Sequence, residues 1–244
     1  LYQVVGLDGA FALCALLYLF ALTMLFATTH ITREPHGAHQ TIFQDLKAGG
    51  RALKASSTLP GILAVTVVFN VWAFPFVSMV PVFAKEVLGL SDAATGMLVS
   101  AEGAGAFVGA IALSLFARSE HSRYLYVGSV LVYCVFALGF SQSTWMWFSA
   151  LALLTVGFVS AAFGSMQSAL VLMNSPAGFE RQMMGVLSVC IGTAPLGFLH
   201  IGLLADWLGT PLACSITAVE GVIAMLWVVW RWPELRAHQP LSLA

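Results

Sequence analysis

Two carboxylates sit inside long apolar stretches of this sequence. Glu102 lies in a run of small and apolar residues, and Glu220 lies in the middle of another. An ionised carboxylate in an apolar surrounding is costly, so such a group faces a cavity, meets a partner or takes up a proton. Glu102 stands immediately before Gly103 and a glycine-rich face, which points to the bundle interior. It is the candidate for a proton-coupling or substrate role, with a protonated structural carboxylic acid as the alternative. Glu220 has the same alternatives and less to support the first. Uncharged polar groups add a candidate cavity lining. Thr66 and Asn70 are four apart and share a helix face, Ser165, Gln167 and Ser168 cluster, and His200 lies in another apolar stretch. Interhelical hydrogen bonds would account for the same residues.

Other chemistries find no support. The sequence contains no HExxH, GxSxG or GxxxxGK[ST], so it shows no enzyme constellation and no ATP-driven pump domain. Cys14, Cys134, Cys190 and Cys214 are scattered through apolar stretches, with no CxxC pair. His30, His36 and His39 follow no usual ligand spacing and read as solvated loop histidines rather than a metal site. No cofactor is expected. A net charge of −1 gives no electrostatic case for nucleic acid.

These polar residues must be positioned by membrane helices. Charged residues make up 9% of the chain and hydrophobic residues 59%, with a mean hydropathy of +0.91. Soluble domains carry roughly 25% charged residues. Apolar blocks cover residues 4–28, 59–83, 93–117, 124–140, 145–169, 183–204 and 211–230. Each is about the length a helix needs to cross a hydrocarbon layer, roughly 20 residues. None alternates as a barrel strand does, and lipid forces backbone groups to pair internally. The expectation is an all-α integral membrane protein with about seven transmembrane helices.

The loops set a sidedness. With the first loop inside, Arg33, Lys47, Arg51, Lys54, Arg118, Arg123 and Arg181 are inside, joined by Arg231 and Arg236 of the tail, and only Lys85 is outside. The C-terminus is then cytoplasmic. Trp145, Trp147 and Trp207 fall near the outer interface and Trp227, Trp230 and Trp232 near the inner one, while Trp72 lies deep in its block. The polar stretch 30–58 reads as an inside linker, with a short amphipathic helix over 45–57. The division is residues 1–29, a lone helix; 30–58, the linker; 59–231, a six-helix bundle; and 232–244, the tail. Residue 1 is Leu and an apolar block follows almost at once, so the chain is expected to be truncated at its start.

Small residues recur at helical spacing: Ala101, Gly105 and Gly109; Gly157, Ala161, Ser165 and Ala169; Ser188 and Gly192. Such stripes let helix backbones approach closely in lipid, for static packing or for sliding. Pro75 and Pro81 interrupt one block and Pro195 another, beside Gly192 and Gly197, where bends become available.

Several stretches carry a family resemblance. FNVWAFPFVSMVPVFAKEVLGLS (69–91), GMLVSAEGAGAFVGA (96–110), PAGFERQMMGV (176–186), PLGFLHIGLLADWLG (195–209) and DLKAGGRALK (45–54) follow in order. Together they make the chain resemble the C-terminal half of a major facilitator superfamily transporter, closest to the enterobactin-exporter-like, multidrug-efflux-like branch. Two positions depart from that pattern. Glu180-Arg181-Gln182 stands where the family has Arg-Gly-Arg, and the loop at Arg118 and Arg123 lacks Gly-x-x-x-Asp-Arg. The resemblance implies helices six to twelve of a twelve-helix fold, with the seventh, eighth, tenth and eleventh lining a cavity. That favours Glu102, Asn70, Thr66 and Gln167 as the substrate or proton pathway and moves Glu220 to the periphery. Gly105, Gly109, Pro75, Pro81, Gly192 and Pro195 become packing or hinge positions. The implied function is secondary transport by alternating access, with proton-coupled export of a small, partly apolar molecule such as a drug or siderophore. The partners are the lipid bilayer, the substrate, protons and the missing N-terminal half, in a cell membrane such as a bacterial inner membrane. The fragment alone is expected to be inactive. A seven-helix receptor and a non-transporting membrane subunit are the rivals. The last block, 211–230, holds no Lys for a retinal Schiff base.

Overall fold

The computed structural model of the chain describes residues 2–27, 50, 53, 56–116 and 122–236, and among these every regular element is a helix. The chain divides into two units, residues 1–41 and 42–244. Helix α1 (Tyr2–Ala27) belongs to the first. The Thr23 hydroxyl donates back to the Phe20 carbonyl at 2.7 Å, which satisfies the one polar side chain of that turn without water. The linker histidines and nearly all of the expected surface helix over 45–57 lie outside the described residues.

The second unit holds α2 (Leu59–Val68), a π segment (Phe69–Ala73), α3 (Phe76–Glu86), α4 (Asp92–Phe116), α5 (Ser122–Ser141), α6 (Met146–Asn174), α7 (Glu180–Ile191), α8 (Ala194–Leu208), α9 (Thr210–Arg231) and a 3-10 turn (Pro233–Arg236). They compose six spans: Leu59–Glu86, Asp92–Leu115, Ser122–Ser141, Met146–Asn174, Glu180–Leu208 and Thr210–Arg231. Each is long and apolar enough to cross a bilayer. Large apolar side chains such as Phe107, Leu115, Trp147, Leu199 and Trp230 are exposed, as a lipid-facing surface requires.

Two spans are broken, each beside a proline. Pro75 has no N–H to give the Val71 carbonyl, and the ladder adjusts one residue early, where Phe74 N–H bonds the Phe69 carbonyl at 2.8 Å in π register. The fifth span stops at Ile191 and restarts at Ala194, with Pro195 in the first turn of α8, where a missing N–H costs nothing. A single residue, Gly209, reverses the chain between α8 and α9 at φ +83°, a conformation that favours glycine. That one-residue connection holds α8 and α9 side by side.

The core is an aromatic ladder. Tyr126 stacks on Phe163 (5.0 Å between centroids), Phe163 on Phe69 (3.8 Å), and Phe69 meets Tyr133 edge-on (5.3 Å). Phe76 then bridges Tyr133 and Phe140, and Phe83 packs on Phe140. These rings tie the first, third and fourth spans together along their length. Between lipid-soluble helices such close packing replaces the hydrophobic effect as the source of association.

The span ends sort by charge. At one end the Trp232 Cβ lies 3.0 Å from where a Gly61 side chain would begin, and Arg231 sits 5.3 Å from the Trp232 ring centroid. There Arg123 donates through Nη1 to the Glu234 carbonyl (3.0 Å) and through Nη2 to Asn174 Oδ1 (2.9 Å), while the Tyr124 hydroxyl donates to the Arg236 carbonyl. At the other end Lys85 pairs with Asp92 at 2.8 Å, and Thr210 donates to Glu86 at 2.9 Å. Arg123, Arg231 and Arg236 therefore share one end and Lys85 takes the opposite one.

Arg123 ties the 3-10 turn to α5 and α6. Its fork makes two bonds that an ammonium cannot reproduce together. Arg123→Lys should lower stability by about 1–2 kcal/mol. It should also speed tryptic cleavage at Arg231 in detergent. Unchanged cleavage and an unchanged thermal midpoint would show that the tie is not holding the turn.

Candidate functional site

The fourth span of the second unit meets the second along a seam of backbone. A side-chain carbon added at Gly157 of α6 would collide with the Glu102 carbonyl oxygen of α4 and lie 2.9 Å from the Ala106 nitrogen. One added at Gly105 would collide with the Leu154 carbonyl oxygen, and one at Gly109 would lie 2.6 Å from the Phe158 oxygen. The glycines are thus opposed across the interface, and only hydrogen fits. Glu102 is fixed at this seam, near the middle of α4, with its side chain half-buried. Its carboxylate makes no hydrogen bond among the described residues. It lies within electrostatic range of Tyr133, whose hydroxyl is buried without a hydrogen-bond partner.

A hydrogen-bonded cluster occupies the core beside the aromatic ladder. Gln167 Nε2 donates to Thr66 Oγ1 at 3.3 Å, Thr66 Oγ1 lies 2.7 Å from the Tyr126 hydroxyl, and that hydroxyl donates to the Ile62 carbonyl at 3.1 Å. One proton ordering satisfies every member: amide to threonine, threonine to tyrosine, tyrosine to backbone. Asn70 Nδ2 donates to the Thr66 carbonyl at 2.9 Å. Thr66, Asn70 and Gln167 are 0%, 6% and 8% exposed, so in this conformation they are core groups rather than the wall of an open cavity.

A second polar group lies where the π segment, α8 and α9 meet. Glu220 Oε2 accepts from Trp72 Nε1 at 3.1 Å and lies 2.7 Å from His200 Nε2. Against an ionised carboxylate the imidazole must carry its proton on Nε2. Around them is a cavity of about 600 Å³, lined by Val71, Trp72, His200, Glu220, Ile223 and Trp227 among others. Gly197 of α8 makes room for this arrangement. A side chain there would collide with the Val71 carbonyl oxygen and the Pro75 ring, so α8 can lie directly on the broken span only because residue 197 is glycine.

The sequence pattern of a family described as transmembrane secretion effector, of major facilitator type, matches residues 1–242. The chain belongs to that family. No curated protein matches it. Membership makes this a multi-pass membrane transport protein, and the all-helical architecture agrees with it. Within this effector fold Thr66, Asn70 and Gln167 come together, whereas Glu102 stands apart from them at the glycine seam. Pro75 is buried at the break and Pro81 is exposed within α3. Gly192 and Pro195 flank the interruption between α7 and α8. Sequence reasoning raised Glu220 and His200 separately and noted Trp72 deep in its block, but did not bring the three together. The signal was present: one tryptophan, one histidine and one carboxylate, each deep inside an apolar span. Among the described residues no group of three or more His, Cys, Asp or Glu is placed to hold a metal.

Proposed function

We infer that the chain works in a secondary transporter that rocks two helical halves about a site near the bilayer midplane, exporting a small, partly apolar molecule against proton entry. Residues 59–231 supply one six-helix half, residues 1–29 the last helix of the other, and residues 30–58 the cytoplasmic linker. The basic end of the bundle, with Arg123, Arg231 and Arg236, faces the cytoplasm. One observation carries the assignment: Glu102, whose backbone carbonyl closes the glycine seam, has a mid-span, half-buried carboxylate with no hydrogen-bonding or cationic partner among the described residues. A carboxylate without a partner at membrane depth is costly to ionise, so a conformational change that admits water couples to its protonation.

The test is efflux by the full-length protein in inverted vesicles under an imposed proton gradient. Glu102→Gln is permanently neutral. It should fold normally and lose about tenfold or more of the gradient-driven rate. Glu102→Asp should retain part of it. Gradient-driven efflux that is unchanged in Glu102→Gln removes this carboxylate from coupling.

A further inference from the structure

We propose that the C-terminal end of α9 binds an anionic phospholipid, with its phosphate at Arg231 and its acyl chains along the outer face of the helix. That face is apolar and regular. Ile223, Leu226, Trp227 and Trp230 recur at i, i+3, i+4 and i+7, and each is more than half exposed. Helix α9 runs 22 residues, about 33 Å, so burying this face in hydrocarbon carries the end of the helix to the headgroup layer. The residue at that end is Arg231.

Arg231 is held ready for an anion. Its guanidinium carbon lies 5.3 Å from the Trp232 ring centroid. Trp232 is itself pinned, because its Cβ packs at Gly61 and its ring meets Trp227 edge-on at 5.9 Å. A guanidinium over an indole uses one flat face and keeps its edge N–H groups free, and a phosphate accepts two of them side by side. Among the described residues the Arg231 guanidinium has no carboxylate partner and no hydrogen bond, and the exposed Arg236 guanidinium has none either. The acid of the 3-10 turn does not compensate them. Glu234 has Oε2 buried and lies within electrostatic range of Arg123. Charge and continuity together select the occupant. A free phosphate would use the arginines and leave the apolar stripe bare. A zwitterionic lipid would bring its own ammonium towards two guanidiniums. A phospholipid with one net negative charge satisfies the cations and covers the stripe.

The probe is dioleoylphosphatidylglycerol, titrated into the purified full-length protein in nonionic detergent and read as the first lipid adduct by native mass spectrometry. Dioleoylphosphatidylcholine carries the same chains, and glycerophosphoglycerol is the headgroup without them. Wild-type protein should bind phosphatidylglycerol saturably and about fivefold or more tighter than phosphatidylcholine, and the free headgroup should not compete at equal concentration. Arg231→Gln should weaken phosphatidylglycerol about fivefold or more, with thermal midpoint and gel-filtration profile unchanged in the absence of lipid. Arg231→Lys keeps the charge, loses the fork and should fall between. Lys85→Gln removes one charge at the other end of the bundle and should leave the affinity unchanged. Should Arg231→Gln fail to fold, Arg231→Lys against Lys85→Gln decides the matter. The proposal is overturned if wild-type protein takes up no lipid, as when another helix covers this face, or if phosphatidylcholine binds equally well. It is equally overturned if the free headgroup competes as strongly as the lipid, if folded Arg231→Gln keeps full affinity, or if Lys85→Gln loses as much.

Discussion

Gly157→Ala should destabilise the protein although alanine is the better helix former. In an unopposed helix the change favours folding by about 1 kcal/mol. At Gly157 the new methyl meets the Glu102 carbonyl oxygen and lies 2.9 Å from the Ala106 nitrogen. Those are backbone atoms of α4 and cannot swing aside as a side-chain tip would. The helices must separate, and the loss spreads to Gly105 against Leu154 and Gly109 against Phe158. Overpacking costs about 1–3 kcal/mol, and a rigid neighbour puts this site at the upper end. Gly157→Val should be worse still. The controls lie on the same two helices: a side chain at Gly103 or Gly164 meets nothing within 4 Å. Gly103→Ala and Gly164→Ala should leave the thermal midpoint unchanged or raise it. Equal midpoints for Gly157→Ala and Gly164→Ala would mean the seam is looser than described.

Thr66→Val should produce the largest loss in the polar core. Valine matches threonine in shape and removes only the hydroxyl. That hydroxyl accepts from Gln167 and meets Tyr126. Tyr126 keeps the Ile62 carbonyl, but the Gln167 amide, 8% exposed, is left with an unsatisfied donor. A buried polar group in that state costs about 1–3 kcal/mol. Thr66→Ser keeps the hydroxyl and should cost less. Gln167→Leu should be cheaper on the Thr66→Val background than alone, because the partner it abandons is already gone. Strictly additive thermal shifts in that cycle would show the two residues to be uncoupled.

Hydropathy made the spans legible because lipid tolerates little else over twenty residues. Glycine spacing marked the faces at Gly105, Gly109 and Gly157, since close approach needs small residues at fixed intervals. The four-residue interval between Thr66 and Asn70 put them on one face, and Asn70 does bond the Thr66 carbonyl. What stayed illegible depends on rotation about each helix axis. A membrane helix is apolar on all sides, so no amphipathic stripe tells which face turns inward. The contact of Trp72 with Glu220 spans 148 residues of sequence and that of Gln167 with Thr66 spans 101. Neither pairing leaves a local trace. The family resemblance placed α9 at the periphery and so turned attention away from Glu220. The π segment was likewise hidden, because Pro75 announces a break but not the register adopted before it.

That segment has a mechanical consequence. A π turn stores one residue more than the α ladder needs, and Asn70 and Trp72 both lie within it. One contacts the buried core through Thr66; the other contacts the lipid-depth pocket through Glu220. Converting the segment to regular α geometry would turn the span on one side of it by about 100° relative to the other. The interhelical bonds of Thr66 and Trp72, on either part of the span, could not both survive that turn. The two polar sites therefore share a gear, and neither can be re-indexed without moving the other.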